Sequence, residues 1–341
     1  MDSIKKSLVS LFAAVAVATT VGAGTPALAQ PPGPPPEAWT VGNGPEQQLF
    51  PPAFAYNFVN PNVAPAGAND WNCKPSPEHP RPVVLVHGTW VNEYNSFARM
   101  APQLERDGYC VFAAVHGKEV NSLIGKLPVI RGTDDIAVGG GQVATFVDEV
   151  LARTGAKQVD MVGYSLGGPV VRQYLRFNGG ADLANPANNK VKRVVTLGAT
   201  NHGTTLSGIA TLASQIQALG PNILGLGEAL LGQSPIQQVI GSPSFERLNA
   251  GGDTDPGIEY TILAARYDEI STPPERTFLT AGPGATVRNI WVQDGCEADL
   301  SDHLAMMYSP RGIYLVENSL DPERFPLDKA PCVPVAPLFG G

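Results

Sequence analysis

The pentapeptide Gly163-Tyr164-Ser165-Leu166-Gly167 constrains this chain more than any other feature. It follows a short, mostly apolar run at 158–162, which reads as a strand, and precedes 169–176, which can continue as a helix with Pro169 early in it. A Gly-x-Ser-x-Gly turn between a strand and a helix is the pattern of an elbow that holds a Ser hydroxyl clear of a sheet. The glycines two before and two after the Ser are required because those positions crowd together.

The rest of the chain repeats the strand–helix alternation. Strands are expected at 82–86, 109–115, 191–197, 258–264 and 286–292. Helices are expected at 95–107, with Gly108 as its cap, at 134–152 and at 308–319. The core strands are apolar on both faces, the signature of a mostly parallel sheet covered by helices on both sides, an α/β fold.

Outside that body, residues 1–29 read as a secretory signal peptide. Lys5 and Lys6 precede an apolar run at 8–22, and Ala27-Leu28-Ala29 offers a cleavage site before Gln30. The apolar run is short for a membrane span, so no stable anchor is expected. Residues 30–72 are rich in Pro, Gly, Asn and Ala and read as an extended N-terminal arm. The folded domain is expected over 73–332, with a tail at 333–341. Loss of Lys5, Lys6 and Asp2 with the leader takes the net charge from −8 to −9, which argues against nucleic acid as a partner.

An exported chain with four Cys is expected to carry two disulfides. Sequence neighbours pair most economically as Cys73–Cys110 and Cys296–Cys332. Each closes a loop of about 35 residues, worth roughly 3–4 kcal/mol in the chain-entropy model. No Cys pair has zinc-site spacing, so no metal is expected, and nothing calls for a cofactor.

Between Gly203 and Phe245 the only charge is Glu228, among many Leu and Ile broken by Gly and Pro. A buried helical layer is one reading. The other is a cap over the site, spanning about 203–250 and apolar on its inner face.

A Ser nucleophile needs a base to take its proton and an acid to orient that base, here in the order Ser, acid, His. Of the five His, only His202 and His303 follow Ser165, and only His303 also follows a strand that can carry the acid. Asp268 lies just past the strand 258–264, in a loop closed by Pro273, with Glu269 as fallback. The expected triad is Ser165, Asp268 and His303. The oxyanion donors are expected to be the N–H groups of Leu166 and Thr89, the latter in His87-Gly88-Thr89-Trp90, with the Thr89 hydroxyl a possible third. Trp90, Tyr164 and His202 are candidates for contacting substrate, His202 alternatively for holding the base of the cap.

Val84-Leu85-Val86-His87-Gly88-Thr89, the Gly163–Gly167 elbow, Tyr267-Asp268 and Asp302-His303-Leu304 together resemble the secreted bacterial lipases of the class 2 lipase family, from about Trp71 to Cys332. The resemblance implies an α/β-hydrolase fold and hydrolysis of carboxylic esters, acylglycerols above all, with lipid or ester substrate met at a lipid–water interface. It places the family's Ser, Asp and His on Ser165, Asp268 and His303. Three rivals share the scaffold: an acyltransferase, a cutinase-like polyester hydrolase with an open site, and a secreted binding protein that has lost its chemistry.

Overall fold

The computed structural model describes residues 41–205, 207–209, 211 and 231–340. The expected leader, and the Pro-rich run at its exit, lie outside them. So does nearly half of the almost uncharged stretch read as a cap, including 212–230.

In chain order the main elements are β1 (Gly42–Gly44), α1 (Phe50–Val59), β2 (Ala64–Pro65), β3 (Val83–Val86), α2 (Glu93–Phe97), α3 (Met100–Arg106), β4 (Val111–Ala114), α4 (Ile136–Thr154), β5 (Val159–Tyr164), α5 (Gly167–Phe177), β6 (Val191–Leu197), α6 (Gln233–Gln237), α7 (Pro243–Asn249), β7 (Glu259–Ala264), β8 (Thr286–Trp291) and α8 (Pro310–Leu320). Among the described residues, β4-β3-β5-β6-β7-β8 form one sheet in that spatial order, and every pairing is parallel.

Side chains along β3 divide between the two faces as the two-residue period requires. Val83 and Leu85 join one core, with Phe50 and Phe54 of α1, Tyr94 and Phe97 of α2, Leu104 of α3 and Leu315 and Val316 of α8. Val84 and Val86 join the other, with Val143, Phe146, Val147 and Val150 of α4 and Val170, Val171, Tyr174 and Leu175 of α5. Two apolar layers on one parallel sheet bury β3, β4 and β5 completely, which is why β3 and β4 read as unbroken apolar runs, while the far edge strand β8 stays partly exposed.

Two expectations need correction. The arm read as extended over 30–72 is, from residue 41 on, part of the packed body. Pro51 and Pro52 stand in the first turn of α1, where a missing N–H is harmless, and Phe50, Ala53 and Phe54 are buried. Proline content alone is therefore a poor guide there. The helix expected over 95–107 is two helices. Asn92 and Asn95 form a reciprocal capping box that starts α2, and Ala98-Arg99 separates it from α3.

Both disulfides are present, Cys73–Cys110 and Cys296–Cys332, spanning 37 and 36 residues of sequence. The first staples the segment before β3 to the start of the edge strand β4. The second ties the loop after β8 to the C-terminal segment.

Candidate active site

Ser165 sits directly after β5 with φ of 52°, a left-handed backbone that a non-glycine residue adopts only at a cost. The flanking glycines show what holds it there. A Cβ on Gly163 would lie 2.9 Å from backbone atoms of Gly167 and Gly168, and one on Gly167 would lie 2.1 Å from the Val86 carbonyl oxygen. The turn is thus wedged between its own helix and the neighbouring strand, with only hydrogen atoms fitting. The Ser165 N–H donates to the Leu197 carbonyl of β6 at 2.9 Å, fixing the elbow to the sheet.

The structure brings Ser165, His303 and Asp268 into one line. Ser165 Oγ lies 2.9 Å from His303 Nε2, and His303 Nδ1 lies 2.9 Å from Asp268 Oδ2. All three are at least 96 % buried. The other oxygen of Asp268, Oδ1, accepts the N–H groups of Ile270 and Ser271 at 2.9 and 2.7 Å. With both oxygens engaged the carboxylate cannot swing away from the imidazole. Burial alone would lower the pKa of His303. The Asp268 charge and its hydrogen bond, with the charges of Glu269 and Asp302 behind them, outweigh burial and leave it raised. Neutral His303 with Nδ1–H donated to Asp268 presents a bare Nε2 to the Ser hydroxyl, so the arrangement can remove the Ser proton.

Gly198, directly after β6, makes this line possible. A Cβ there would stand 3.0 Å from Asp268 Oδ2 and 3.2 Å from His303 Nδ1. Its carbonyl accepts the Ser271 hydroxyl at 2.6 Å, which anchors the acid loop to the sheet. Only the position of this glycine, next after a strand, hinted at such a role.

The loop after β3 lies against the elbow. A Cβ on Gly88 would be 2.9 Å from Ser165 Cβ, so only glycine lets the loop come so close. Among the described residues neither the Thr89 nor the Leu166 N–H has a backbone acceptor, which leaves both available at the head of α5. Two stacked imidazoles, His87 and His116, set the course of this loop, with ring centroids 4.1 Å apart. His87 Nδ1 donates to the Gly88 carbonyl at 2.9 Å while its Nε2 accepts the His116 N–H. His116 Nε2 in turn donates to the His87 carbonyl at 2.9 Å. Burial pushes both pKa values down, that of His116 to about 4, so both rings are neutral at ordinary pH.

Gln238, a residue that sequence reasoning passed over, ties this loop to the far end of the 203–250 stretch. Its Nε2 donates to Thr89 Oγ1 at 2.8 Å and to the Ser234 carbonyl, and its Oε1 accepts the Thr200 hydroxyl. The Ser234 carbonyl can only accept, so the amide orientation is determined. Thr89 Oγ1 is then an acceptor toward Gln238, and its own proton remains for another acceptor.

The three residues expected to contact substrate have their polar atoms committed elsewhere. Trp90, buried and at φ of 58°, donates its indole N–H to the Leu231 carbonyl at 3.0 Å. Tyr164 lies beneath the base and donates its hydroxyl to the His303 carbonyl at 3.1 Å. The residue before the nucleophile belongs to β5, and its side chain enters the core. Both ring nitrogens of His202 face acceptors, the Arg276 carbonyl and Asp253 Oδ1, each at 2.8 Å. Arg172 of α5 donates to the carbonyls of Asn201 and Asp253, so the ends of the insertion are braced together here. Glu269, the fallback acid, bears on His303 only as a nearby charge. Among the described residues no cluster of His, Cys, Asp and Glu could hold a metal ion.

Comparison with known proteins follows the same lines. The profile of the lipase (class 2) family matches residues 80–271, more than half of the chain, a stretch that includes Ser165 and Asp268 and stops short of His303. Lipase B of Aspergillus fumigatus has a similar fold, with a TM-score of 0.56 at 18% identity over 80% of this chain. The chain spans 60% of that lipase's length. Carboxylesterase CesB from Bacillus subtilis matches with a TM-score of 0.41 at 13% identity, over 80% of this chain and 97% of that one. A six-stranded parallel sheet between two helical layers, with the elbow after β5 and the family profile laid across it, places this chain in the class 2 lipase family, with the α/β-hydrolase fold.

Proposed function

We propose that the chain is an exported serine hydrolase of carboxylic esters, with Ser165 as nucleophile, His303 as base and acid in turn, and Asp268 as the group that orients it. The observation that carries the reading is the unbroken line from Ser165 Oγ through both nitrogens of His303 to Asp268, at 2.9 Å for each contact. His303 Nε2 takes the Ser165 proton as Oγ bonds to the acyl carbon. The carbonyl electron pair moves to oxygen, and the N–H groups of Thr89 and Leu166 hold that oxyanion. Collapse expels the alcohol, which leaves with the proton from His303. Water repeats the sequence on the acyl-enzyme and releases the acid and free Ser165. Export is supported by the leader pattern at 1–29 and by two disulfides with no free Cys among the described residues. Acylglycerols are the favoured substrate class, on the family membership and the nearly uncharged, Leu- and Ile-rich stretch at 203–245.

The test is covalent and kinetic together. An organophosphonate should label Ser165 stoichiometrically and abolish hydrolysis of p-nitrophenyl esters. Full esterase activity in Ser165→Ala would remove the nucleophile assignment. Rates from acetate to palmitate esters decide the substrate class, and a sharp preference for short soluble esters would discard the lipase reading while leaving the esterase one.

A further inference from the structure

His303 stands on a loop after β8 with no regular secondary structure, yet a base must be held to within a fraction of an ångström. Asp302, its immediate neighbour, is 3 % exposed. Its Oδ1 accepts the Ala305 N–H at 2.9 Å, an ordinary turn contact. Its Oδ2 accepts the Leu338 N–H at 2.8 Å, from a residue 36 positions away. Local turn chemistry explains the first bond and not the second.

The segment that supplies Leu338 follows the His303 loop closely. It is joined at Cys296–Cys332, pairs as Asp299 with Val335, and accepts the Leu300 N–H on the Val335 carbonyl at 3.1 Å. It then reaches the head of α1, where the Phe339 carbonyl accepts the Phe50 N–H at 2.9 Å. Gly340 lies so close to Tyr308 that a Cβ would stand 2.3 Å from the tyrosine Cβ. Apolar burial does not account for this course. Val335 is 2 % exposed, but Val333, Leu338 and Phe339 are 40 %, 37 % and 51 % exposed. What fixes the segment is hydrogen bonding and a disulfide, and most of these links end on the loop that carries His303.

We propose that Asp302 is a positioning residue for the His303 base, and that Val333–Gly340 is the clasp through which it acts. The proposal rests on His303 being the base. The clasp pulls on one side of the loop through Leu338 and Val335, and Tyr164 supports the His303 carbonyl from below. Asp268, Glu269 and Asp302 are the acidic groups that bear on the imidazole. The negative charge of Asp302 therefore adds to the electrostatic support of the imidazolium that forms in the reaction.

The experiment compares Asp302→Asn, a deletion of residues 338–341 and the two combined, in the full chain, on a soluble p-nitrophenyl ester. Asn keeps an acceptor for Ala305 and presents an amide nitrogen to the Leu338 N–H. The expected result is a loss in kcat of about 10-fold for each single variant, with KM within about 2-fold. The double variant should be no worse than the poorer single, because both cut the same link. The acid limb of kcat/KM should also move to lower pH in Asp302→Asn, as one charge that supports protonated His303 is gone. The deletion leaves that carboxylate in place, so it gives an independent arm if Asp302→Asn folds poorly. Unchanged kcat with only a lower melting temperature in either variant would overturn the clasp, as would additive losses. Ser165→Ala and His303→Ala run alongside, and if either keeps full activity, the triad reading fails instead.

Discussion

Replacing Asp268 by Asn should be worse than replacing it by Ala, and the structure says why. Oδ1 of Asp268 accepts two backbone N–H groups, from Ile270 and Ser271. An amide nitrogen cannot accept from them, so in Asp268→Asn the side-chain oxygen must stay at that position. The NH2 group then points at His303 Nδ1, across the present 2.9 Å contact. Nδ1 is forced to accept, the ring proton moves to Nε2, and the base can no longer take the proton of Ser165. Locking the wrong tautomer costs on the order of 10⁴ in kcat in the serine protease case. That is about 5 kcal/mol of activation free energy. Ala leaves the imidazole free to take either tautomer and should lose about tenfold less. The assay is kcat on p-nitrophenyl butyrate near pH 8, normalised to sites titrated by phosphonate, with melting temperature as control. An Asn variant that keeps more than about a tenth of the activity, or one more active than Ala, would refute the tautomer argument.

Other outcomes follow from contacts already described. Gln238→Ala should lower kcat by about 10-fold with KM unchanged, since it removes a bond that aims Thr89 while leaving the rest of the pocket intact; a change confined to KM would refute it. The acid limb of kcat/KM should lie above pH 6.5, because neutral His303 is the active form and its pKa is raised from that value; a midpoint below 6.5 would show that burial wins over Asp268. Glu317, 3 % exposed on α8, is raised to about 8 by burial and by its hydrogen bond with Asp107. The folded state therefore holds this proton while the unfolded chain has lost it, and stability falls as pH rises from about 4.5 to about 8. Glu317→Gln should raise stability, read as Tm, at pH 9, by up to the roughly 5 kcal/mol that a rise from 4.5 to about 8 represents, and by almost nothing at pH 4.5; an equal gain at both pH values would point to packing instead of ionisation.

The elbow was readable because its glycines answer to a local steric demand that leaves a fixed spacing in sequence. Asp268 could be singled out because it follows a strand whose apolar run is plain, and His303 because it comes after both that strand and Ser165. Residues whose roles depend on distant partners left no such trace. Thr89 and Gln238 lie 149 positions apart, and nothing in either neighbourhood announces their bond. Gly198 looks like any glycine after a strand until Asp268 and His303 arrive beside it. Tyr164, Trp90 and His202 were proposed as substrate contacts for the opposite reason. Their closeness in sequence to functional positions suggested substrate contact, while strand alternation and buried hydrogen bonds turned their polar atoms to structural partners. Residues 41–72 were obscured by composition, since Pro-rich sequence reads as extended even where two prolines merely open a helix.

The order of the strands carries one more consequence. Thr89 follows β3, Ser165 follows β5, Gly198 follows β6, Asp268 follows β7 and His303 follows β8, and these are consecutive neighbours in the sheet. From Thr89 to His303 these residues span more than half of the chain, so no contiguous half holds them all. On the proposed triad, reactivity toward esters is expected only once the last parallel strand has docked. Parallel pairings with long connections form late in folding. On refolding with the disulfides intact, helical circular dichroism should return before phosphonate reactivity, so that Ser165 serves as a built-in reporter of a finished molecule.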